Sequence, residues 1–119
     1  MDRPGNYTLQ MWQGATWHYE LLWETGTPAA PVDLTDYSAR MQVRAEIASD
    51  TTILDLTSDL GGAITLGGAA GTIDLDLTAT ETAAVTPGTH VYDLELESDT
   101  GTVTRLLQGS FVISPEVTR

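Results

Sequence analysis

The chain has 119 residues, a formal net charge of -12, no cysteine and no lysine. That length suits a single domain able to bury roughly two-thirds of its unfolded surface, and without cysteine neither a disulfide framework nor a thiolate metal site can form. Seventeen acidic side chains against five arginines argue against nucleic acid as a partner, because phosphate-backbone affinity rests on cations displacing counterions. No apolar stretch has the length of a membrane span, and MDRPGNYTLQ carries no basic segment followed by an apolar run, so a soluble, unexported protein is expected.

NYTLQMW predicts a first strand ending near Gly14, so residues 1–14 read as an N-terminal arm with that strand and residues 15–119 as the body of the same domain. In TWHYELLWE, Trp17, Tyr19, Leu21 and Trp23 alternate with His18, Glu20, Leu22 and Glu24, the period of a half-buried strand that only Leu22 breaks. TGTPAAPVDLTDY reads as a loop or crossover. YSARMQVRAEIA has the longest alternation, with Tyr37, Ala39, Met41, Val43, Ala45 and Ile47 on the inner side. Shorter strands are predicted over 52–57, 63–66 and 72–77, the last two close enough for a hairpin.

Thr78 stands three residues before Glu81, a capping-box spacing, and the alanines beyond it predict one helical turn stopped by Pro87 and Gly88. HVYDLELE and TVTRLLQGSFVI form a hairpin through SDTG, with a bulge predicted at Gly109. About eight short strands and one helical turn predict an all-β chain, an antiparallel β-sandwich of immunoglobulin type, with a small closed barrel as the alternative.

Asp74 and Asp76 alternate with Ile73, Leu75 and Leu77, while Asp93, Glu95 and Glu97 alternate with Tyr92, Leu94 and Leu96. A sheet wet on one side produces that spacing without any site. Catalysis needs carboxylates in unlike environments, and calcium needs oxygens converging from a loop, so a calcium module built on Asp74, Asp76, Asp93 or Asp99 is the lesser reading. Arg40 and Arg44 offset the charge if their strand shares a sheet with the carboxylates. His18 and His90 read as surface histidines, and no nucleophile elbow, P-loop or dinucleotide fingerprint occurs. No enzyme activity, cofactor, catalytic residue or metal ligand is expected.

Five of the eight aromatic residues, Tyr7, Trp12, Trp17, Tyr19 and Trp23, fall within the first 23 positions. The last three have core spacing. If Tyr7, Leu9 and Met11 face inward, Trp12 points outward, and exposed tryptophan is enriched at binding hot spots. Arg3, Tyr7, Trp12, Pro31 and Asp36 are the candidate protein interface.

VDLTDYSARMQVR, GTIDLDLTATETAAV, GTHVYDLELESDTGTVTRLLQGSFVI and the closing PEVTR together resemble small virion proteins of tailed bacteriophages. They are similar to the immunoglobulin-like N-terminal domain of baseplate upper proteins, over about residues 15–117. The resemblance implies an assembly or adaptor subunit of tail, baseplate or neck, with no catalytic residues to carry over. It implies other virion proteins as partners, homo-oligomers in the particle, and location in a virion assembled in the host cytoplasm. The downstream fibre-attaching parts of the larger proteins are missing, so a stand-alone adaptor or head decoration subunit is expected. A module recognising carbohydrate or a host surface protein is the alternative.

Overall fold

Alternation decides which segments pair. The computed structural model describes residues 5–117. In chain order they form β1 (Gly5–Asn6), β2 (Leu9–Trp12), β3 (Trp17–Leu22), β4 (Glu24–Thr25), β5 (Ala30–Pro31), β6 (Ser38–Arg44), β7 (Leu54–Thr57), β8 (Ile64–Leu66) and β9 (Thr72–Leu77). A short helix α1 (Ala79–Ala83) then precedes β10 (Gly88–Glu97) and β11 (Val103–Ser114). The chain is all-β apart from α1 and a 3-10 turn, and no helix among the described residues is long and apolar enough to cross a membrane.

The larger sheet has six strands in the order β1–β11–β10–β6–β7, with β2 beside β11 on the same side as β1; the smaller has three, in the order β3–β9–β8. β1 and β2 run parallel to β11, and the other pairings are antiparallel. Inner residues of both sheets enter one core, among them Met11, Met41, Leu94, Phe111 and Ile113 from the larger and Trp17, Ile73, Leu75 and Leu77 from the smaller. Trp17 meets Phe111 edge-on with ring centroids 5.5 Å apart. Burying side chains of this size contributes about 1.5–3 kcal/mol each.

Two local predictions hold in atomic detail. Thr78 Oγ1 accepts from the Glu81 amide at 3.1 Å while Glu81 Oε1 accepts from the Thr78 amide at 2.9 Å, and buried Thr82 then donates to the Ala15 carbonyl at 2.9 Å, anchoring α1. The SDTG turn joins β10 to β11, with Gly101 at φ 88°. The DLTDY segment folds on itself: Asp33 Oδ1 accepts from the Thr35 amide and hydroxyl at 3.0 and 2.6 Å, and Leu34 plugs the core. Those bonds from Thr35 hold the Asp33 carboxyl below the ordinary range.

Several expectations need correction. Among the described residues eleven strands stand where about eight are expected, and the surplus consists of two-residue pieces: β1, separated from β2 at Tyr7–Thr8, and the β4–β5 hairpin inside the expected loop. The alternation beyond Arg44 is not a strand, because the chain turns there and leaves Ile47 89% exposed. Gly109 is not the bulge. The register slips between Leu94 and Glu95, skipping Leu106, whereas Gly109 lies at φ 148° against the Tyr7 carbonyl, where a Cβ would collide. His90 is buried rather than on the surface, since it shares the inward side of β10 with Tyr92 and Leu94.

Candidate functional site

The acidic pairs lie on different sheets. On β10, Asp93 and Glu95 face the arginines of both neighbouring strands: Arg40 lies 3.6 Å from Glu95, and Arg105 lies 3.5 Å from each of Asp93 and Glu95. Burial lifts the Asp93 carboxyl above its ordinary value, Glu95 adds to this, and Arg105, Arg40 and Arg44 oppose it. Arg44 donates to the Ser49 carbonyl at 2.7 Å and to Gln42 at 2.9 Å. Gln42, Arg44, Asp93 and Arg105 line a polar groove of about 470 Å³ on the outer face of the larger sheet.

The outer face of the smaller sheet has no arginine among the described residues. Cross-strand register sets His18 opposite Asp76 and Glu20 opposite Asp74. His18 Nδ1 lies 2.6 Å from Asp76 and Nε2 3.9 Å from Asp74. The hydrogen bond to Asp76 raises the imidazole above its ordinary value; desolvation opposes, and the charges of Asp76, Asp74 and Glu20 add. Donor atoms of His18, Glu20 and Asp74 fall within 4.8 Å of one another, so His18 is not the isolated imidazole its sequence position suggests. They project from two neighbouring strands, β3 and β9, rather than from the loop that calcium sites use.

The seam between the sheets differs from both faces. On the side where β3 faces β1 and β2, the three-stranded sheet does not cover the wider one. A groove of about 700 Å³ opens there, lined by Tyr7, Tyr19, Leu21, Trp23, Leu106 and Leu107 among others. A second hollow of about 390 Å³ continues it past Trp12 and Trp17 and shares Tyr7 and Tyr19. Trp17 Nε1 donates to the Gln10 carbonyl at 2.9 Å, tying β3 to β2 under this surface. Tyr92 donates from its hydroxyl to the Tyr7 carbonyl at 2.8 Å, and burial pushes its pKa up to about 12.

Of the candidate interface residues, Tyr7 and Trp12 come together here, 56% and 54% exposed. Leu9 and Met11 face inward while Tyr7 does not: the interruption of the edge strand beside Gly109 turns it out. Pro31 and Asp36 are exposed but line neither hollow, and Asp36 adopts φ 65° in the turn before β6. Arg3 lies outside the described residues. Sequence reasoning missed Tyr19 and Trp23, assigned to the core yet only partly buried, and Leu22, 53% exposed. The signal was present: Leu22 was the one apolar residue on the polar side of its strand.

No protein-family model matches the chain, and no curated protein matches it.

Proposed function

We propose that this protein is a non-enzymatic assembly or adaptor subunit of a tailed-phage virion, docking on neighbouring proteins through the lateral aromatic groove. The observation that carries the reading is that groove, where Tyr7, Trp12, Tyr19, Leu22 and Trp23 leave apolar area at a seam between two sheets. Rigid aromatic side chains in a concave setting are the usual anchors of protein interfaces. The motifs that resemble baseplate upper proteins supply the virion context.

The strand order supports the immunoglobulin-like form of the fold. Reading β3, β9 and β8 as strands B, E and D places them opposite β11, β10, β6 and β7 as G, F, C and C′. The first strand then lies beside G and leaves the edge of B uncovered. That arrangement explains why the groove is on this side.

Light scattering of the purified protein, alone and mixed with candidate virion proteins, tests the assignment. A discrete larger complex is expected, and Trp12→Ala with Tyr7→Ala should weaken it by at least about 2 kcal/mol, the hot-spot range. A protein that stays monomeric with every virion protein and binds only cells or glycans would contradict it. That outcome is the second reading, which the amide and carboxylate groups of Gln42, Asp93 and Gln108 in the polar groove favour.

A further inference from the structure

The free edge of β3 has a hydrogen-bonding pattern that can be worked out. β3 pairs only with β9 among the described residues. The Trp23 amide donates to the Gly71 carbonyl on the β9 side at 2.9 Å, while the Asp76 amide donates to Ala63 on the β8 side at 2.9 Å. Antiparallel ladders alternate, so Trp17, Tyr19 and Leu21 bond to β9 and the backbone groups of His18, Glu20 and Leu22 point to the open edge. Among the described residues, three N–H and three C=O groups therefore form a ladder without backbone partners directly beside the aromatic groove.

We propose that this edge receives an extended segment of a partner protein as an additional strand, with apolar side chains entering the groove and lysine or arginine on the outward side. The proposal rests on the docking role assigned above and specifies its mode. Main-chain pairing supplies affinity in such strand addition, and alternate side-chain pockets supply specificity.

Charge selects the occupant. The outward face of β3 carries His18 and Glu20, with Asp74 and Asp76 behind them on β9, and Glu24 continues the chain; His18 is paired with Asp76, which leaves Glu20 and Asp74 facing each other. Every described arginine lies on β6 or β11 in the other sheet. A basic strand finds opposite charges across the ladder, whereas a second copy using the same edge has no lysine or arginine there and brings a further Glu20 and Glu24 toward these carboxylates, and like charges directly opposite destabilise a pair. The unequal width of the two sheets provides the room.

The test uses a ten-residue peptide of alternating valine and lysine and a control with glutamate in place of lysine. Binding is measured by calorimetry, and the site by amide hydrogen exchange. The lysine peptide is expected to bind at least about tenfold tighter and to slow exchange at His18, Glu20 and Leu22. Leu22→Pro removes one outward N–H and no bond to β9, so it should keep its melting transition and lose about tenfold in affinity. Glu20→Lys should lower the preference for the lysine peptide, which keeps the test decisive should Leu22→Pro not fold. Equal binding of the two peptides, no binding at millimolar concentration, or protection on another surface would overturn the proposal. Self-association that protects the same three amides would overturn it too, making a second copy the occupant. If Trp12→Ala and Tyr7→Ala still block association with virion proteins in that case, the docking role stands without strand addition. If they do not, both fail.

Discussion

The two outer faces of this protein carry the same acidic, alternating pattern but end in opposite electrostatic states. On the larger sheet, β10 lies between two strands that supply arginines, so Asp93 and Glu95 are met by Arg40 and Arg105. On the smaller sheet, Glu20 stands opposite Asp74, and the one basic partner is a histidine. Identical spacing therefore says little about charge; the neighbouring strand decides it. The neutralised face closes on itself, while the anionic one borders the open edge and the aromatic groove.

Breaking the seam between these faces should have the largest effect. Tyr92→Phe leaves the Tyr7 carbonyl without its donor, and denaturant unfolding is expected to show a loss of about 1–3 kcal/mol. The same hydroxyl gives an alkaline signature. Its folded pKa of about 12 exceeds the ordinary tyrosine value of 10.0, so its stabilisation is complete below pH 10 and is lost as pH rises toward 12. Melting curves of wild type and Tyr92→Phe should converge across that window.

Substitutions on the two faces should have opposite signs. Arg105→Ala is expected to destabilise by under about 1 kcal/mol, because its partners are partly exposed, and Asp93→Asn in the same chain should recover part of that loss. Glu20→Lys, which turns a like-charge cross-strand pair into an opposite one, should instead stabilise by about 0.2–1 kcal/mol. If both changes shifted the melting temperature in the same direction, the contrast between the faces would be wrong.

The smallest effect belongs to His18. Its folded pKa is raised from 6.5, so the pairing with Asp76 contributes fully below that value and fades as pH rises through the folded pKa. Proton NMR titration should show the imidazole above its ordinary value in wild type and lowered in Asp76→Asn.

Local patterns were the most legible part of the chain. Ile73, Leu75, Leu77, Leu94 and Leu96 are buried as their alternation requires, and Thr78 with Glu81 builds the capping box that its spacing predicts. Information failed where distant segments meet. Gly109 has no local turn to make, and its need for a missing side chain arises from Tyr7, over a hundred positions earlier. Ile47 continues an alternation past Arg44, where β6 ends and the chain turns away although β10 runs on to Gly88. Tyr19 and Trp23 have core spacing, but a three-stranded sheet set against a wider one leaves them half covered, and sheet width is not written in any one segment. Trp12 was legible because its neighbours Leu9 and Met11 fixed the inner side.

Amide hydrogen exchange of the protein, free and bound to the virion protein that captures it, addresses the docking face most directly. Slowed exchange confined to residues 7–12 and 17–24, with β6, β10 and the outer face of the larger sheet unchanged, is the expected result. Protection centred on Gln42, Asp93 and Gln108, with the β2–β3 side exchanging as in the free protein, would contradict it and move the binding surface to the polar groove.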